Sequence, residues 1–81
     1  MIARVFVTLK PGVLDPQGRA IARALVSDGF GEVQDARVGK LIEVKLDETD
    51  PARAQERLKA MCEKLLANTV IERYEIELLK A

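Results

Sequence analysis

Apolar and polar residues alternate from Ile2 to Leu9, with Ala3, Val5, Val7 and Leu9 on one face and Arg4, Phe6 and Thr8 on the other. That period of two predicts a half-buried strand. Asp15 then stands directly before Pro16, a helix start: the carboxylate accepts from free N–H groups of the first turn, and proline fits the first helical position, where a missing donor costs nothing. The spacing predicts a helix from Pro16 to about Asp28, with Gly18, Ile21, Ala24 and Leu25 on the packed side and Arg19 and Arg23 outside. Gly29 ends it in the left-handed conformation, and Phe30 folds back on Leu25. Glu32 to Val38 and Lys40 to Leu46 read as two strands joined by a tight turn at Gly39, with Ile42, Val44 and Leu46 forming the inner face of the second. Thr49, Asp50 and Pro51 repeat the capping device before a helix that carries Leu58, Met61, Cys62, Leu65 and Leu66 at helical spacing. Asn68 is expected as its left-handed stop. Alternation returns from Val70 to Leu79, with Tyr74, Ile76 and Leu78 opposite Arg73, Glu75 and Glu77.

The order βαββαβ predicts an α+β, ferredoxin-like domain over residues 1–81, with an antiparallel sheet and both helices on one of its faces. In that topology Lys10 to Asp15, the Gly39 turn and Asn68 to Thr69 meet at one edge. The connections around Gly29 and around Asp47 to Asp50 lie at the other. The uncovered face presents Phe6 and Leu41 among Arg4, Thr8, Glu43 and Lys45, a candidate self-association surface.

Composition narrows the function. A chain of 81 residues has material for one core. Thirteen basic residues balance 13 acidic ones, which argues against a nucleic-acid or anionic-membrane partner, since either draws on a surplus of Lys and Arg. Phe6, Phe30 and Tyr74 are too few, and wrongly flanked, for a base-stacking RNA module. No apolar run approaches the ~20 residues of a membrane span, and the chain opens straight into strand pattern, so the expectation is a cytoplasmic protein without signal peptide or anchor. The single cysteine agrees with a reducing compartment.

Candidate chemistry is thin. Without histidine there is no Ser/His/Asp or Cys/His set, and the commonest zinc ligands of small domains are missing. Gly12 and Gly18, followed by Arg19, fail the spacing of a phosphate loop. Cys62 sits in an apolar helical stripe, so it reads as a small core residue rather than a nucleophile. Lys10, Arg37 and Lys40 beside the Asp15 helix start suggest an anion site, but Asp15 already brings negative charge there, and solvated strand-end charges are the favoured reading. No catalytic residue, metal ligand or cofactor-binding residue is expected in this chain.

The segments "LKPGVLDPQGRAI", "RVGKLIEV" and "MCEKLLANTVIERYEI", in this order and spacing, resemble the PurS family, the small subunit of phosphoribosylformylglycinamidine synthase. Thr69 stands where many relatives carry proline. The resemblance implies a non-catalytic subunit of an ATP-consuming ligase of purine biosynthesis. It would bridge a PurL-type synthetase subunit, which holds the ATP and Mg, and a PurQ-type glutaminase subunit that supplies ammonia for formylglycinamide ribonucleotide. It also implies a homodimer or higher homo-oligomer formed through the sheets. From their place at the three-loop edge, Lys10, Asp15, Gln17, Arg37, Lys40 and Asn68 are the expected partner-contacting residues; Phe6 and Leu41 mark the self-association face. The alternative is a dimeric small-molecule-sensing module on the same fold.

Overall fold

The alternation of the first segment becomes strand β1, Ile2–Leu9, the centre of the sheet in the computed structural model, which describes residues 1–79. It pairs antiparallel with β2, Gly39–Lys45, and with β3, Glu72–Leu79, giving the order β2-β1-β3. Val5 stands between Ile42 and Ile76, and Phe6 between Leu41 and Glu75, so the two parities of β1 set the two faces of the sheet. Ala3, Val5 and Val7 are at most 1% exposed.

Helix α1, Pro16–Ser27, and helix α2, Pro51–Met61, both start as the sequence predicts. Asp15 accepts from the Gly18 amide and Asp50 from the Ala52 amide, with proline in the first turn of each. Gly29 takes φ +101° and the Phe30 amide donates to the Leu25 carbonyl at 3.0 Å, the left-handed stop expected there. α2 widens at its end into a π-turn, Cys62–Leu66, closed by the Ala67 amide on the Cys62 carbonyl at 3.1 Å. The extra residue in that turn rotates the stripe, so Leu58, Cys62 and Ala67 join Ala3, Val5 and Val7 in the core while Leu65 is 82% exposed. Burial of Leu58, Val5 and Val7 stabilises the fold by about 1.5–3 kcal/mol for each side chain.

The class is α+β with an antiparallel sheet and two helices, as expected, but three expectations need correction. The strand expected over Glu32–Val38 does not form, and the sheet has three strands. That segment instead runs back along α1, and Gly39 is the first residue of β2, opposite Thr8, rather than a turn. α1 does not lie on the sheet. It makes no substantial packing contact with any strand or with α2, and only Gly18 in it is buried. The third concerns Asn68, which is not left-handed: among the described residues no non-glycine has positive φ. The helix has already stopped at Ala67, which is extended, and Asn68 builds the turn that follows: its Oδ1 accepts from the Val70 amide at 3.2 Å, while its carbonyl accepts from Ile71 and Glu72.

Candidate functional site

Three loops do meet at one edge of the sheet, held by backbone and side-chain hydrogen bonds rather than by apolar packing. The Lys10 amide donates to the Ile71 carbonyl at 2.9 Å, which ties the end of β1 to the approach to β3. Arg37, just before β2, donates from its two terminal nitrogens to the carbonyls of Val13 at 3.1 Å and Lys10 at 3.2 Å, so it shapes the β1–α1 loop.

Asp15 is the hub. It is 7% exposed, and its two carboxylate oxygens accept separately, one from Gly18 N and the other from Val38 N, both at 2.8 Å. These backbone donors, Val38 first, together with the Arg37 charge hold its carboxyl below the usual value of 3.8 against the opposing effect of burial. Gly18 is needed there for space. A Cβ on it would collide with the Ala36 carbonyl oxygen and come 2.8 Å from Asp15 Oδ2. The "DPQG" run is therefore a helix cap whose carboxylate also captures the strand entering β2.

Lys40 and Glu72 share the parity of the apolar side chains on their strands, because Lys40 and Tyr74 both stand opposite Val7 and Glu72 opposite Leu9. They approach at 3.9 Å, with Glu72 the less exposed of the two. The other Glu72 oxygen accepts from the Asn68 amide at 2.7 Å. Leu9, Asp15, Gln17, Lys40 and Glu72 line a cleft of about 340 Å³.

Of the expected residues, Asp15, Gln17 and Lys40 face this one cleft, Asn68 reaches it through Glu72, and Arg37 and Lys10 belong to the adjoining loop. The geometry does not support a shared anion site, since Arg37 is spent on carbonyls, Lys40 on Glu72, and Asp15 carries its own charge. Among the described residues Lys10 has no ion-pair partner. Sequence reasoning missed Glu72, although an acid at the apolar parity of β3 was a readable signal. It also missed the exposed apolar group beside the edge, Leu65, Val70 and Ile71, because the π-turn that exposes Leu65 leaves no mark in hydrophobic spacing.

On the open face Arg4 lies between Glu43 and Glu77, 3.8 Å from each, with all three side chains well exposed. Such pairs set register more than stability. Phe6, 37% exposed, sits directly opposite Leu41, 55% exposed. Cys62 is wholly buried, and desolvation with the nearby Glu63 charge pushes its thiol up from 9.0, as suits a core residue. Among the described residues no three His, Cys, Asp or Glu side chains converge as a metal site, and no helix is long and apolar enough to cross a membrane.

Comparison with known proteins places this geometry among relatives. The family described as "PurS: Phosphoribosylformylglycinamidine (FGAM) synthase" matches residues 2–80. The phosphoribosylformylglycinamidine synthase subunit PurS of Bacillus subtilis is 53% identical over 76 residues, 91% of this chain and 89% of that protein. Methanocaldococcus jannaschii PurS, solved as a crystal structure, superimposes with a TM-score of 0.90 at 42% identity, covering 99% of this chain and 96% of that one. A chain of the solved PurLQS from Thermotoga maritima superimposes with a TM-score of 0.84 at 32% identity, covering 98% and 99% respectively.

Proposed function

The chain belongs to the PurS family, and from that membership we propose that it serves as the small, non-catalytic subunit of phosphoribosylformylglycinamidine synthase, a ligase of purine biosynthesis. The observation that carries the reading is the match along the whole chain, in sequence to PurS subunits and in fold to a chain of a PurLQS assembly. The chain then bridges a synthetase subunit, which holds the ATP and Mg, and a glutaminase subunit, so that ammonia reaches formylglycinamide ribonucleotide. The place of work is the cytoplasm.

Two surfaces divide the task. The edge formed by Lys10, Asp15, Gln17, Arg37, Lys40 and Asn68 contacts a partner subunit; its hydrogen-bonded loops give it a fixed shape, and the exposed Leu65 and Val70 beside it supply apolar area. The Phe6 and Leu41 face associates with a second copy, where the Glu43–Arg4–Glu77 row fixes orientation. A small-molecule sensor on this fold is not favoured by the comparisons.

Reconstitution tests the reading. Synthetase and glutaminase subunits from the same source are assayed with glutamine and with ammonium, with and without this chain. Glutamine-dependent turnover is expected to need the chain and ammonium-dependent turnover to proceed without it. Charge reversal at Lys10 and Lys40 together is expected to weaken assembly at least tenfold and to lower only the glutamine-dependent rate. Glutamine-dependent turnover that ignores the chain would overturn the role; turnover that needs the chain but ignores the reversal would overturn the edge alone.

A further inference from the structure

Along α1, Arg19, Ala22, Arg23 and Val26 recur at intervals of three and four, so one side of the helix carries two arginines and two apolar residues over about 10 Å. The returning segment faces that side with Val33, Gln34 and Asp35, and the two enclose a groove of about 480 Å³. Beyond Arg19 and Asp35 it continues for about 310 Å³ more, to Arg37 and the loop of Gly12 and Leu14. Space of that size suits a small organic ligand. No strand contributes to the main part of the groove, which shares no residue with the cleft of Lys40 and Glu72.

The charges in this groove do nothing for the fold. Among the described residues neither Arg19 nor Arg23 is ion-paired, although Arg4, Lys40 and Arg53 each find a carboxylate. Arg19 also stands near the start of α1, where the helix dipole opposes a cation and no acid in the first turn offsets it. Four residues apart, the two guanidinium groups reach one anion from the same side, and their planar forks match phosphate oxygens. Arg37 spends its fork on the loop carbonyls and adds only its charge at the far end. Asp35 is the exception. One of its oxygens accepts from the Ala36 amide at 2.9 Å, which leaves the other to accept from a ligand. A carboxylate there opposes a run of negative charge, such as an acidic peptide, but suits a molecule that carries one anionic group with a sugar hydroxyl beside it.

We propose that this groove binds a nucleoside monophosphate: Arg19 and Arg23 hold the phosphate, Asp35 accepts from a ribose hydroxyl, and the base lies on Ala22, Val26 and Val33. Val26 is 48% exposed in the free chain, and the base covers it. Gln34, at the edge of the same patch, offers an amide that both donates and accepts, as the polar rim of a base requires. Inorganic phosphate meets the arginines alone, ribose 5-phosphate the arginines and Asp35, and the nucleotide all of these and the apolar patch. Affinity therefore climbs in that order. The inference goes beyond the proposed subunit role and stands whether or not that role does.

The test is titration of the folded chain, followed by NMR of its backbone amides and arginine side chains, with adenosine monophosphate, ribose 5-phosphate, inorganic phosphate and a short poly-glutamate peptide as probes. The nucleotide is expected to bind saturably with a Kd of about 1 mM or tighter and to move the signals of Arg19, Arg23, Val33 and Asp35, with ribose 5-phosphate weaker and phosphate weakest. Arg19→Gln combined with Arg23→Gln should weaken the nucleotide at least tenfold while the spectrum keeps its folded dispersion. Lys10→Gln, at a cation outside the groove, should change nothing. Asp35→Asn separates a built site from a charged patch, because it should weaken the nucleotide yet leave phosphate as tight or tighter. Nucleotide binding no tighter than that of phosphate, a peptide that binds as well as the nucleotide, shifts confined to other surfaces, or full affinity in the folded double variant overturns the proposal.

Discussion

Gly18→Ala is the sharpest perturbation of the base of α1, because two effects of known sign compete at one atom. Gly18 lies in the first turns of α1 and its φ is not positive, so alanine gains about 1 kcal/mol from helix propensity. Against that, the new methyl group would overlap the Ala36 carbonyl oxygen, stand 2.8 Å from Asp15 Oδ2 and 3.0 Å from the Ala36 carbonyl carbon. Two of these atoms are backbone and the third is a carboxylate already fixed by two N–H donors, so relief requires the Ala36 segment or Asp15 itself to move. Overpacking of this sort costs about 1–3 kcal/mol, and the broken Asp15–Val38 bond adds about 1 kcal/mol, giving a net loss of roughly 1–3 kcal/mol. For a chain of this size that lowers Tm by about 5–20 °C. Thermal unfolding at fixed protomer concentration measures it, with Gly12→Ala as control, since a Cβ there meets nothing within 4 Å. Hydrogen exchange at the Val38 amide localises it. A Gly18→Ala protein as stable as the parent would show that the base of α1 is open and would remove the reason for the glycine.

Other outcomes follow from the same geometry. Asp15 has a carboxyl held below 3.8 in the folded chain, so its contribution to stability is complete above the unfolded value and is lost as pH falls through the lowered one. Protection of the Val38 amide should therefore fail on acidification below about pH 4, and Asp15→Asn should start with low protection and show a flatter profile; equal profiles would refute the role of the hub. Cys62, fully buried with its thiol pushed up from 9.0, should react with a thiol reagent near neutral pH only as fast as the core opens. Immediate modification of the native protein would contradict its place in the core.

What the sequence reveals here follows the range of the forces involved. The caps at Asp15 and Asp50, the Gly29 stop and the faces of β1 and β3 were legible because each rests on residues close together in the chain. Glu32–Val38 was misread because a tight turn at Gly39 would make it the hairpin partner of Lys40–Leu46, whereas Gly39 is already paired with Thr8 inside β2 and no such turn forms. Its donors go elsewhere: Val33 N to the Phe30 carbonyl, Ala36 N to Asp35 and Val38 N to Asp15. The π-turn was invisible for a related reason, since one added residue shifts a stripe without changing composition. The edge itself was legible from topology alone, but Glu72, which links Lys40 to Asn68, required the register of three strands to be seen.

α1 shows where such reasoning stops and why that matters for a scaffold. An amphipathic period states that a helix face is buried; it does not state in which chain. The buried core of a single copy holds few large side chains, Leu58, Val5 and Val7 together with Cys62, so the fold gains little from its own interior. Ile21 and Val26 on α1 accordingly stay exposed, outside that interior. The polar base built on Asp15, Gly18, Arg37 and Val38 does two things at once. It sets the direction in which α1 leaves the sheet edge and, through the same hydrogen bonds, holds the loop of Lys10 beside Lys40 and Glu72. Loosening that base is therefore expected to lower hydrogen-exchange protection in α1 and in the Lys10 loop together, whereas a change confined to Lys40 should leave the Val38 amide protected.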